Sequence, residues 1–314
     1  MENTRKFIPI LLLIFLVAFS ACLETKQETS APKSIGIGKT KGVEITEFSA
    51  ITYVDESEEL DVSLYAQNMG DSKATNVEAT LYQLSGFTKD PLKPPKEEGG
   101  DLLPPAIEFN IPGDVYSKSW LLTAPPVEKD QPRSFLCQVS YDYTSSASTN
   151  IQLVGKSEWD KRGGASAFST YSTSSQAPIT LEIVPVPAIR VSRPEETPSK
   201  RVPLDIVLKN TGTGLITGKT VSNFQIKFTK GNMITEFTPE EDEDTPEEDE
   251  AKITCTSVKA DRSLELFGVK QERSLRCYLT LPFDEEYSGY IVEASIDYRY
   301  SVHSTPLTIQ VRKS

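Results

Sequence analysis

The sequence predicts an all-β protein of two tandem antiparallel β-sandwiches, and three observations carry that reading. First, Leu60–Asn68 alternates apolar and polar residues and closes on Asn68-x-Gly70, and Val202–Asn210 does the same before Gly212. Such period-two alternation ending at Asn-x-Gly marks a half-buried strand entering a turn. Second, Leu122–Pro125 (LTAP) returns as Leu279–Pro282 (LTLP), and at that offset Phe135, Cys137, Val139, Tyr141 and Tyr143 match Val292, Ala294, Ile296, Tyr298 and Tyr300. Third, helical periodicity is scarce while short strands punctuated by turn residues recur. A chain of 314 residues is long enough for two cores of ordinary size.

From the amino terminus, Arg5 and Lys6 precede a 15-residue apolar run, Phe7–Ala21, and Cys22 follows. That is a signal-peptide layout, residues 1–21, and the run is short for a membrane span. Phe19-Ser20-Ala21-Cys22 is similar to a prokaryotic lipobox, which makes Cys22 the expected lipidated first residue of the mature chain; an uncleaved signal anchor is the alternative. Residues 22–41 read as a flexible tether with a span of about 25 Å. The body is thereby expected at the extracytoplasmic face of the membrane.

The first sandwich spans residues 42–155. Its strands are expected at Gly42–Val54, Leu60–Asn68 and Ala74–Leu84, then, after a proline-rich crossing, at Ala106–Ile111, Val115–Ala124, Ser134–Tyr143 and Thr149–Val154. Residues 156–177, rich in Ser, Thr and Gly, read as a linker, in which Trp159, Phe168 and Tyr171 either pack on a domain edge or meet a partner. The second sandwich, 178–314, carries an acidic insertion at 239–251. Nine of the eleven residues Glu240–Glu250 are acidic, so most of the net charge of −12 sits there. That run reads as a solvated, self-repelling loop, since it lacks the glycine and ligand spacing of a calcium loop.

Chemistry is sparse. An acidic chain does not suit nucleic acid. The sole histidine, His303, falls in an expected turn with Asp297 and Ser301 nearby in sequence, and nothing supplies an oxyanion hole. No P-loop, dinucleotide fingerprint or zinc ligand set appears, so no metal or cofactor is expected. Cys255 and Cys277 are expected to pair in an oxidising compartment, leaving Cys137 as a small core residue. The four repeated tyrosines, Tyr141, Tyr143, Tyr298 and Tyr300, are expected to fill the core; as alternatives they would be aromatic platforms for sugar or peptide.

The pattern Val62-x-Leu64-x-Ala66-x-Asn68-x-Gly70, followed by Ala74-x-Asn76-Val77-x-Ala79-x-Leu81, resembles the immunoglobulin-like CARDB and related archaeal S-layer-type domains of secreted prokaryotic proteins. In the second copy only Leu204–Gly212 carries it, with Thr211–Val221 (TGTGLITGKTV) replacing the Ala-x-Asn-Val segment. The resemblance implies immunoglobulin-like sandwiches in an extracellular setting and no catalytic residues. The expected function is a non-catalytic binding, adhesion or envelope-assembly module, anchored by lipid and engaging a cell-envelope protein or glycan. The competing expectations are a substrate-capturing lipoprotein of a transport system and a metal-assisted hydrolase centred on His303.

Overall fold

The structure is a computed structural model that describes residues 42–89, 96–98, 100–184, 186–191, 199–237, 251–267, 271–283 and 286–314. The signal peptide, Cys22, the tether and the acidic run 240–250 lie outside the described residues. The first copy contributes β1 (Val43–Ala50), β2 (Tyr53–Asp55), β3 (Glu59–Asn68), β4 (Thr75–Tyr82), β5 (Thr88–Lys89), β6 (Lys96–Glu98), β7 (Val115–Thr123) and β8 (Gln131–Gly155). A helix, α1 (Lys156–Arg162), and β9 (Ser172–Ser174) follow. The second copy contributes β10 (Ile179–Ile183), β11 (Ile189–Val191), β12 (Ser199–Asn210), β13 (Leu215–Ile216), β14 (Thr220–Lys230) and β15 (Met233–Glu236). It ends with β16 (Lys252–Cys255), β17 (Leu264–Glu265), β18 (Glu272–Pro282), β19 (Tyr287–His303) and β20 (Leu307–Arg312).

These strands form an all-β pair of sandwiches. One large sheet runs through both, with β8 and β19 at its centre, and two smaller sheets, β1-β3-β7-β5 and β10-β12-β18-β16, cover its inner face. Alternation sets the faces: Phe135, Cys137, Val139, Tyr141 and Tyr143 of β8, and Val292, Ala294, Ile296, Tyr298 and Tyr300 of β19, are all buried. A single contiguous apolar core joins the two sandwiches.

Three expectations about strands change. Gly42–Val54 is not one strand: β1 pairs with β3 in the first small sheet, whereas β2 crosses to pair in parallel with β20 in the large one. Ser134–Tyr143 and Thr149–Val154 are not separate: β8 is one strand of 25 residues. Ser145 and Ala147, in the expected gap, and Thr149, at the start of the expected second strand, all occupy inward positions. Ser145 donates to Ile179 O at 2.5 Å, and Thr149 donates to Tyr171 O at 2.7 Å, so both buried hydroxyls are satisfied. Ala106–Ile111 is not a strand but a turn, with a 3₁₀ segment at Ile107–Phe109 and Asn110 left-handed at φ 54°. Flanking prolines at 104, 105 and 112 remove the amide donors that a ladder needs.

The stretch 156–177 also departs from a plain linker. It carries α1 and β9, and β9 pairs with β8 at Ala147–Thr149. Trp159 stacks on Phe168, which stacks on Tyr287, with the Arg162 guanidinium 5.4 Å from the Phe168 ring centre. The aromatic residues therefore pack on the second sandwich, apart from Tyr171, whose side chain is exposed.

The long strands carry an internal symmetry. Positions 157 apart, such as Leu122 and Leu279, are equivalent, and in the antiparallel β8–β19 ladder Asp142 faces Arg299, its own equivalent. Tyr141 faces Tyr300 and Tyr143 faces Tyr298 on either side. A local two-fold axis thus passes through the Asp142–Arg299 pair. Beyond it, each copy completes the other's sandwich: the far half of β8 pairs with β19 under the second small sheet, and β20 returns to pair with β8 at Gln131–Phe135. Even the parallel additions correspond, β2 on β20 and β11 on β8.

Candidate functional site

The tyrosines at the axis come first, because they are the strongest aromatic feature. Their ring centroids lie 5.8 to 6.4 Å apart around a closed tetrad, and all four side chains are buried. Each hydroxyl is held by backbone. Tyr141 accepts from Val43 N at 3.0 Å, and its equivalent Tyr298 accepts from Ile179 N at 3.2 Å. Tyr143 accepts from Ser72 N at 3.1 Å, and Tyr300 from Gly214 N at 2.9 Å. Tyr143 and Tyr300 donate in turn to the side-chain oxygens of Asn68 and Asn210, at 3.4 and 2.9 Å. The Asn-x-Gly motif is the receptor for this tetrad. An added Cβ at Gly70 would stand 2.1 Å from the Tyr143 hydroxyl, and one at Gly212 would stand 2.5 Å from that of Tyr300. Burial pushes all four phenols above their ordinary pKa, that of Tyr300 to about 12. Buried, donor-saturated rings are not platforms for sugar.

Asn76 and its surroundings show what the second copy does with the missing motif. Asn76 sits left-handed at φ 51° in a bulge between β4 and β8, and its amide donates to Asp142 at 2.7 Å. Asn223, at φ 50° in the matching bulge between β14 and β19, donates to Asp297 at 2.7 Å. Ser222-Asn223-Phe224 thus repeats the left-handed bulge of Thr75-Asn76-Val77, two residues along the partner strand, because Asp297 corresponds to Ser140 rather than to Asp142. The segment is displaced by β13 and its turn rather than replaced, and the Ser/Thr-Asn-apolar triplet was the signal for it.

His303 is the last residue of β19 rather than a turn residue. Its Nδ1 lies 3.0 Å from the Tyr82 hydroxyl. Asp297 is engaged by Thr144 and Asn223, and Ser301 by Ser140 and Thr217, so the three residues do not converge. On a strand they are separated by about 7 to 20 Å. Among the described residues no group of three or more His, Cys, Asp or Glu is placed to hold a metal. Cys255 and Cys277 face each other across β16 and β18 and form a disulfide. Cys137 is a buried free thiol, its pKa pushed up to about 12 by burial, which makes it inert.

What remains open is the outer face of the large sheet. It is polar from the axis to the Lys227–Glu293 pair, and beyond that pair Ile234, Ile291 and Tyr287 are exposed. At the axis Arg299 donates to Asp142 at 3.0 Å and to Glu78 at 2.9 Å. Over the second sandwich the face hollows into a trough of about 530 Å³, with Ser146, Ser148 and Ser295 as its floor and Gln225, Lys227 and Glu293 at its border. Lys227 and Glu293 form an ion pair of 3.0 Å whose side chains stay about half exposed. Hydroxyls, amides and a paired charge can hold a polar partner by hydrogen bonds, but they offer no nucleophile–base pair. Sequence reasoning did not single these residues out, because outward Ser and Thr positions on a strand read as ordinary solvated surface.

No protein-family model and no curated protein matches the chain. Among solved structures it is similar to the collagen adhesin of S. aureus, at 10% identity over 88% of this chain and 96% of that one, with a TM-score of 0.13. It is also similar to the CupB6 tip adhesin of Pseudomonas aeruginosa, at 8% identity over 88% and 97%, with a TM-score of 0.14. Likeness at that level carries neither fold nor function. No helix of the described residues is long and apolar enough to cross a membrane.

Proposed function

We propose that the chain is an exported, lipid-anchored protein of the cell envelope whose paired sandwiches form a non-catalytic binding module. The open polar face of the large sheet engages an envelope component. The observation that carries this reading is the division of chemistry between the faces: the aromatic residues are sealed inside by backbone donors, while the outer face keeps a trough of about 530 Å³ lined by hydroxyl, amide and paired charged groups. The resemblance of Val62–Leu81 to CARDB-like domains supports the extracellular setting, and Cys22 supplies the anchor. Capture of a small substrate for transport is less favoured, because the trough is shallow and open rather than enclosed.

Lysine-reactive cross-linking with mass spectrometry on intact cells tests this. Lys227, at the border of the trough, is the reporter. The expected result is a recurrent link from Lys227 to one envelope protein, lost when Ser148 and Ser295 are both replaced by Arg. Surface exposure of the protein with Lys227 only singly modified would overturn the proposal.

A further inference from the structure

The described surface has one dense apolar projection, the turn between Leu102 and Tyr116. Leu103, Ile107, Phe109, Ile111 and Val115 are between 49 and 75% exposed, with Phe109 the most exposed of all large apolar residues described. Five such side chains within thirteen residues is not the scatter expected of ordinary surface. The turn is held in shape. Ala106 and Ile111 exchange two backbone bonds of 3.0 and 3.1 Å, Asp114 N donates to Leu103 O at 3.0 Å, and Leu103 N donates to the Asp114 carboxylate at 3.0 Å. Gly113 permits the close return: a Cβ there would meet Asn68 O at 2.0 Å. The apolar side chains are thus presented by a fixed turn rather than by a collapsing loop.

Its place in the fold says what it meets. Asn68 ties the turn to the point where the chain enters the body: its amide group donates to Leu102 O at 3.0 Å, its backbone N donates to Asp114 O at 3.1 Å, and its neighbour Met69 donates to Gly42 O at 2.7 Å. Gly42 is where the tether ends. Cys22 lies twenty residues before Gly42, a length that as a coil spans about 25 Å, so on the lipid-anchored reading this end of the first small sheet is the part of the body nearest the anchor along the chain. Residues 101–116 contain no Lys or Arg, which excludes an anionic polymer as the target. The turn carries Glu108 and Asp114 as its charged groups, so the surface it suits is uncharged overall, as the interfacial zone of a zwitterionic bilayer is, where apolar side chains sink roughly 5–10 Å.

We infer that the Leu103–Val115 turn inserts its apolar side chains into the membrane interface and acts as a second contact that fixes the orientation of the anchored body. The inference rests on the lipid-anchored reading above. It is tested on the full chain in phosphatidylcholine vesicles, with Phe109→Cys carrying a nitrobenzoxadiazole label and Ile234→Cys, exposed on β15, as the control site. The expected result is a rise in emission at position 109 on the order of threefold on vesicles, quenched by lipids brominated in the acyl chain, and no change at position 234. Adding Ile107→Asp and Ile111→Asp is expected to abolish the shielding while the protein still floats with the vesicles. A label at 109 that stays in water on co-floating protein overturns the insertion and leaves the anchor standing. Shielding that follows protein concentration and ignores bromination also overturns it, in favour of self-association. Protein that fails to float, with Cys22 itself labelled, overturns the anchor and the insertion with it.

Discussion

The reciprocal exchange of strands predicts that the two sandwiches unfold as one body. Ile309 lies on β20, at the carboxyl end of the second copy in sequence, yet it is fully buried and sits in register with Arg133 of the first. Ile309→Ala removes three buried methyl or methylene groups from the first sandwich, at a cost of about 3 kcal/mol. With a urea dependence of about 3 kcal/mol per molar for a body of this size, the midpoint should fall by roughly 1 M. Trp120, buried in the first sandwich, reports that unit in a Trp159→Phe background, and far-ultraviolet circular dichroism reports the strands of both. The 17-residue β19 ladder along β8 couples them, so both probes should move together in a single transition. Fluorescence that shifts alone, with a second transition left unmoved in the dichroism, would refute the coupling.

Three further outcomes are expected. The tyrosine tetrad makes stability alkali-sensitive: its buried phenols stay neutral in the folded state while unfolded tyrosines ionise near 10, so stability is complete below about pH 10 and falls above it by roughly 5 kcal/mol per pH unit for four phenols. Titration at 295 nm should show these four ionising only with unfolding, and ionisation near 10 in a folded protein would contradict the burial argument. Reduction of Cys255–Cys277, separated by 22 positions, should lower stability by about 3 kcal/mol, read by calorimetry, while native Cys137 stays unmodified by iodoacetamide. At the axis, Arg299→Asp sets two carboxylates face to face and should cost about 1 kcal/mol, and adding Asp142→Arg should recover most of it, because Glu78 lies within reach of both positions.

The sequence made the repeat, the sandwich class and the inward parity of the central strands legible, because alternation around a buried face is a strong local signal. The Cys255–Cys277 pair was legible from compartment and count. Strand exchange was not. Nothing local distinguishes a β8 that ends at Tyr143 from one that runs on, since the polar stretch Thr144–Ser148 gives no apolar alternation until Ile179 O is seen to receive the Ser145 hydroxyl. The same reason hid Asn223: five residues inserted ahead of it moved the motif out of register, and only pairing against Asp297 restores the correspondence. The trough escaped notice because its polar floor belongs to two strands far apart in sequence.

Duplication on a two-fold axis would ordinarily give two equal binding faces, and departures from that symmetry make the two outer faces differ. At the axis an unfused pair of identical chains would set each residue against itself, so Asp against Asp or Arg against Arg; fusion allowed Asp142 to face Arg299. Away from the axis, the 157-residue offset places His303 where the trough has Ser146, and Tyr82, facing Leu136, stands where Lys227 faces Glu293. On the first sandwich those two positions hold the paired rings of Tyr82 and His303, 5.8 Å apart and edge to face, over the region that stays hollow on the second. Two facing rings fill in the first copy what Ser146 and the Lys227–Glu293 pair leave open in the second. A partner titrated against the protein should therefore bind one to one, and light scattering of the complex would read that ratio; two equivalent partners per chain would place recognition on the symmetric features instead of the trough.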